Sequence, residues 1–160
     1  MKKFIKVQWL EIKLLNENWE KYLSLIDIAR KNNPKSPASI IKNWLKNKST
    51  IEFLWTWEKI NNLNFKLVEF DQFRNISWNN TFVLTPQKWI KETNAIWIIS
   101  KSWRYGWTFA HIDIALEFAS WISEKLKDSI VEELEKWEQD DKWDDFEGLD
   151  ISFKPKIVRI

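Results

Sequence analysis

Thirteen tryptophans against two glycines is the feature that most limits how this 160-residue chain can turn. Glycine adopts positive φ at almost no cost, whereas a residue with a Cβ loses of order 1 kcal/mol or more there. Average usage would supply roughly eleven glycines in a chain of this length. Several tryptophans sit where those glycines are missing. Trp19 lies in Asn16-Glu17-Asn18-Trp19-Glu20, between two apolar runs where Asn-Gly would form a hairpin turn. Trp78 lies in Asn75-Ile76-Ser77-Trp78-Asn79-Asn80, and Trp103 and Trp107 bracket a polar segment ending at Thr108. By contrast Trp44, Trp57, Trp89, Trp121 and Trp137 fall among helix-spaced apolar residues.

We therefore read Trp9, Trp19, Trp55, Trp78, Trp97, Trp103, Trp107 and Trp143 as occupying glycine positions. A gene whose UGA codons specify glycine, translated with a table that reads UGA as tryptophan, gives this pattern. A tryptophan-rich surface for stacking ligands would explain the rings but not the missing glycines. Lysine outnumbers arginine 21 to 4, a bias that fits an AT-rich gene.

The length suits one domain with a modest extension, divided here as 1–137 and 138–160. An apolar content of 44% can build a core. No apolar run approaches the 18 or so residues of a membrane span, and the start turns polar too soon for a secretory signal. The absence of cysteine excludes disulfides and thiolate metal sites and fits a cytoplasmic protein. The net charge of +2 hides an asymmetry. Residues 1–110 carry 18 basic and 9 acidic side chains, whereas residues 111–160 carry 7 and 14. A basic body with an acidic C-terminal segment is a pattern of polyanion binders.

The pattern of elements implies an α+β fold. Phe4 to Val7, Leu10 to Leu15 and Tyr22 to Leu25 read as short strands within a β-rich segment over 4–28, with turns at Trp9 and Trp19. Ser36-Pro37 starts a helix whose apolar face is Ile40, Ile41, Trp44 and Leu45, with Lys42, Lys46 and Lys48 pointing elsewhere. Ser49-Thr50-Ile51-Glu52 fits a capping box for a second helix with Phe53, Leu54, Trp57 and Ile60 inward. Residues 61–84 read as irregular or strand-like, with Phe65, Leu67, Val68, Phe70 and Phe82 as core candidates. Thr85-Pro86 begins a short helix ending near Asn94, and 95–109 reads as an extended loop or hairpin. Ile114, Ala115, Phe118, Trp121 and Ile122 mark another helix. Ser123 caps a last one carrying Leu126, Ile130, Leu134 and Trp137. Ile151 to Ile160 could add a strand, which Pro155 would keep at an edge.

Catalysis finds little support. The single histidine, His111, with Asp113 and Glu117, does not share one helical face with them and makes a poor metal set. Ser100 and Ser102 lack a nucleophile elbow. We expect a non-enzymatic protein with no cofactor or metal, and a helix-start histidine that caps its helix or touches phosphate. The segment holding Lys101, Arg104, Tyr105 and Thr108 is the better site. Glycine-like backbone there would approach an anion, and arginine grips phosphate or a guanine edge bidentately. Together with Lys42, Lys46, Lys48, Lys88 and Lys91 these residues make a basic surface suited to nucleic acid.

Around this segment the chain resembles the KilA-N domain family. The resemblance is carried by Thr85-Pro86-Gln87-Lys88-Trp89-Ile90, Thr93-Asn94-Ala95-Ile96 and Ile98-Ile99-Ser100-Lys101-Ser102. It continues through Arg104-Tyr105-Gly106, Thr108-Phe109-Ala110-His111, Asp113-Ile114-Ala115 and Phe118 to Ser123. Upstream, Tyr22-Leu23-Ser24-Leu25, Asp27-Ile28-Ala29, Trp44-Leu45, Asn47 to Phe53 and Val68-Glu69-Phe70 match as well, so it spans roughly 20–123. The resemblance implies a winged helix-turn-helix core with a glycine-type wing loop, and double-stranded DNA binding without catalysis in a phage- or mobile-element-related regulator. It also implies glycine at positions 97, 103 and 107. Two features depart from the family pattern: Ile112 replaces a frequent basic residue, and the last helix is acidic at Glu132, Glu133, Glu135 and Glu138. The alternatives are a protein-interaction module that assembles through its hairpin and C-terminal strand, including as a homo-oligomer, and RNA binding with bases stacked on Tyr105.

Overall fold

The computed structural model describes residues 3–65, 68, 93–101 and 107–139. Five strands form one antiparallel sheet: β1 (Phe4–Val7), β2 (Leu10–Glu17), β3 (Glu20–Ser24), β4 (Ile98–Lys101) and β5 (Trp107–His111). Their spatial order is β1-β2-β3-β5-β4. Five helices lie wholly among the described residues: α1 (Leu25–Ala29), α2 (Pro37–Leu45), α3 (Lys48–Asn61), α4 (Ile112–Ile122) and α5 (Glu124–Gln139). The fold is α+β, as the sequence pattern implies.

Strict alternation builds the sheet. Ile5 and Val7 on β1, and Leu10, Ile12, Leu14 and Asn16 on β2, all point into the protein while their neighbours stand outward. Register keeps that face continuous, with Ile5 opposite Ile12 and Val7 opposite Leu10. The strip is covered by helices: α5 packs on β1, and α4 packs on β3 and β5. Leu126, Ile130, Leu134 and Trp137 are the inward positions of α5, as expected. Ser123 Oγ accepts the Leu126 N–H at 3.3 Å, which confirms the cap.

Both N-terminal hairpins close with two-residue loops. In the β2–β3 turn Asn18 and Trp19 have φ of 51° and 69°, the double positive φ of a type I′ turn. Trp19 therefore does occupy a conformation that favours glycine. In the β1–β2 turn the positive φ of 57° falls on Gln8, and Trp9 is not among the positive-φ residues. Trp9 thus needs no glycine. Trp55 lies inside α3, where glycine would weaken the helix, and Trp97 is wholly buried with its ring 6.1 Å from that of Trp44. Trp107 belongs to β5, while Trp78, Trp103 and Trp143 lie outside the described residues.

Other expectations change as well. Residues 25–29 form a short helix rather than continuing the strand, because the Ser24 side chain accepts the Asp27 N–H and caps a helix start. Helix α3 starts one residue before the expected capping box, with Asn47 as its cap. Ile60 is 74% exposed because it lies nine positions from buried Ile51, about half a turn round the helix. Val68 is also exposed, and Trp121 is 45% exposed, its ring stacked on Phe118 at 6.2 Å. The core candidates Leu67, Phe70 and Phe82, residues 85–92 of the expected short helix, the acidic stretch and the segment expected to add a C-terminal strand lie outside the described residues.

Candidate nucleic-acid interface

Helix α2 carries its charge on one side. Ile41, Trp44 and Leu45 are buried, and Trp44 meets Trp97 and Phe118, whose ring centroid is 4.9 Å away. Lys42 and Lys46 are four residues apart on the opposite, exposed side. Lys48, exposed, opens α3 two residues later. No acidic residue occurs from Ile28 to Ile51, a stretch holding Arg30, Lys31, Lys35, Lys42, Lys46 and Lys48. Two like charges at this spacing disfavour a helix by a few tenths of a kcal/mol, offset here by their place near its C-terminal end.

The β4–β5 hairpin supplies the second part. Ser24 pairs with Phe109, and the ladder then continues between β4 and β5 alone, through Ser100 opposite Thr108 and Lys101 opposite Trp107. The hairpin thus extends past the end of β3. Lys101 is its last paired residue on the β4 side. Thr108 is buried at 8% exposure, so it lies beneath the surface rather than on it. Arg104, Tyr105, Lys88 and Lys91 lie outside the described residues.

His111 sits at the opposite end of β5, 3% exposed. Its Nδ1 accepts the Asp113 N–H at 3.1 Å, capping α4, and its Nε2 lies 2.9 Å from Glu20 Oε2 on β3. Nδ1 as acceptor requires the tautomer with hydrogen on Nε2, which then donates to Glu20. The ring is further held between Trp57 at 4.9 Å and Tyr22 at 5.6 Å. Of the two roles expected for a helix-start histidine, capping is the one it performs in this geometry.

Two buried carboxylates place these parts: Glu58, which no motif marks, and Asp27, which the sequence shows only within the Asp27-Ile28-Ala29 motif. Glu58 on α3 accepts the backbone N–H of Ile96 at 2.9 Å, of Trp97 at 3.0 Å and the Asn62 amide at 2.8 Å. Asn62 also donates to the Asn94 carbonyl at 2.7 Å. This cluster fixes the segment that leads into β4. Burial raises the Glu58 carboxyl above its ordinary value, against the lowering effect of these donors. Asp27 accepts the Lys13 N–H at 2.9 Å and pairs with Arg30 and with Lys13 Nζ at 3.5 Å, tying α1 to β2. An acid at an inward helix position, Glu58 seven residues after Ile51, is the signal that would have revealed the first.

Among the described residues, no cluster of three or more histidine, aspartate or glutamate side chains is placed to hold a metal ion. No described helix is long and apolar enough to cross a membrane. The KilA-N domain family model matches residues 6–140, most of the chain. The chain belongs to the KilA-N domain family. That family is one of DNA-binding domains, so the basic α2 side and the β4–β5 hairpin belong to a DNA-binding fold. The KilA-N match takes in the N-terminal hairpins from Lys6 onward and the last helix, beyond the span over which the motifs are recognisable by eye. Comparison with curated proteins and with solved structures returned no match.

Proposed function

We propose that this KilA-N chain binds double-stranded DNA through its basic side and acts as a regulator of a phage or other mobile element, without catalysis. The exposed lysines of α2 and the start of α3, in a stretch of sequence with no acidic residue from Ile28 to Ile51, are the observation that carries this reading. Lys42, Lys46 and Lys48 act as phosphate contacts, and Lys101, Arg104 and Tyr105 engage DNA from a winged hairpin, with Lys88 and Lys91 adding to the field. Thr108 and His111 serve by holding β5 in place, since both side chains are buried. Lysine contacts to phosphate release counterions, so affinity falls by roughly 0.9 log unit per contact for each tenfold rise in salt. Arg104→Ala should weaken binding. Titrating labelled duplex with the wild-type chain and this variant tests the proposal, and salt-independent binding or an unchanged Arg104→Ala affinity contradicts it. A native mass measurement without DNA addresses the assembly alternative, which predicts oligomers in its absence.

A further inference from the structure

The strand directions decide which connections share an end of the sheet. Strands β1, β3 and β4 run toward one end, and β2 and β5 begin there. The Gln8-Trp9 turn, the passage from β3 into α1, and the points where the chain leaves β4 and enters β5 therefore meet at that end. The Asn18-Trp19 turn, Trp97 and His111 lie at the other. One side-chain contact ties the first two features together: Lys31 Nζ donates to Gln8 Oε1 at 2.6 Å, joining the residue group after α1 to the β1–β2 turn.

This end is positive. Over the β1–β2 hairpin and the residues from Asp27 to Lys35, the described charges at this end are Lys6, Lys13, Arg30, Lys31 and Lys35 against the carboxylates Glu11 and Asp27. Glu11 stands opposite Lys6, and Asp27 is buried and shared between Arg30 and Lys13. Five cations against two carboxylates leave three positive charges in excess, and Lys6, Lys31 and Lys35 are not the cations that hold Asp27. Asn33 Oδ1 accepts the backbone N–H groups of Lys35 at 3.2 Å and Ser36 at 3.0 Å, which fixes the turn that presents Lys35 at the entrance to α2. Lys35 thus follows Lys31 of the sheet end and precedes the α2 lysines Lys42 and Lys46 along the chain. Charge of one sign gathered this way disfavours the compact state through self-repulsion, and a polyanion relieves it.

Building on the DNA-binding reading above, we propose that this end of the sheet is a second DNA contact surface, with Lys6, Lys31 and Lys35 meeting the sugar–phosphate backbone of the duplex held by α2. Lysine is a compact point charge without the planar fork that reads a base edge, so the surface adds affinity and register but little sequence preference.

The test uses the full chain, a labelled duplex of roughly 20 base pairs (two helical turns) and a salt series, with thermal melting as the check on folding. Lys31→Gln/Lys35→Gln should weaken binding by similar factors on unrelated duplex sequences. Its salt dependence should be shallower by about 1.8 log units per tenfold salt. Because Lys31 also bonds Gln8, Lys6→Gln/Lys35→Gln provides a variant that leaves that contact alone, and the same shallowing is expected. Unchanged slopes in both pairs, while Lys42→Gln/Lys46→Gln does weaken binding, overturn the second surface and leave the α2 face standing. A wild-type chain with no salt-dependent DNA binding overturns both.

Discussion

A Cβ at positive φ works against the backbone, and Trp19 carries the bulkiest side chain available at a φ of 69°. Trp19 keeps 36% of its surface exposed, so only part of the residue packs against the protein to offset that cost. Trp19→Gly should therefore stabilise the protein by about 0.5–1 kcal/mol after glycine's extra chain entropy, raising the melting temperature by a few degrees. The same exchange at Trp97, which has no exposed surface, should cost about 3–5 kcal/mol through the void it leaves. Thermal melting of the two variants checks the opposed signs. Turn chemistry made Trp19 legible in the sequence because the two-residue gap between alternating runs allows few backbone conformations. It could not separate Trp97 from the true turn positions, since the run Ile96-Trp97-Ile98-Ile99 gives no hint that Trp44 waits across the core. The gene is the direct arbiter of which tryptophans are encoded as such.

Helices and strands were legible where periodicity had room to repeat. Helix α2 follows from Ser36-Pro37 and its apolar stripe, and α5 from Ser123 and Leu126 to Trp137. Helix α1 is five residues long, too short for a helical period to show against the preceding strand. Its signal was local: Ser24 Oγ accepts the Asp27 N–H at 3.3 Å, the Ser-x-x-Asp form of a helix start. The Glu58 cluster was not legible because its donors lie 38 and 39 residues away. Glu58→Ala leaves those buried donors unpaired and should cost about 3 kcal/mol or more, whereas Glu58→Gln, which keeps an acceptor, should cost less. The folded protein holds the Glu58 proton more tightly than the unfolded chain does. Its stabilising contribution is therefore full below the ordinary carboxylate value, about pH 4, and is lost as pH rises through the elevated folded value. Melting temperatures across that window should show wild type losing ground relative to Glu58→Gln as pH rises. A constant difference between the two would contradict the buried-carboxyl account.

Across the whole molecule, charge is divided between a basic body and an acidic C-terminal part, and the sequence displayed this division in full. What it could not display is that the acids of α5 are fixed to the body by apolar packing and by the Lys21–Glu138 pair at 3.2 Å. The boundary anticipated at residue 137 falls inside that helix, which runs to Gln139. We expect the acidic segment beyond it to compete with DNA for the basic side. Replacing Asp140, Asp141, Asp144 and Asp145 with asparagine should tighten binding at low salt, and unchanged affinity would retire the idea. The central claim is narrower: the lysine side of α2 holds DNA phosphates. Its most direct measurement is the salt dependence of duplex affinity for wild type and Lys42→Gln/Lys46→Gln, both folded by thermal melting. The account predicts weaker binding and a slope shallower by about 1.8 log units per tenfold salt in the variant. Equal affinities and parallel slopes would contradict it.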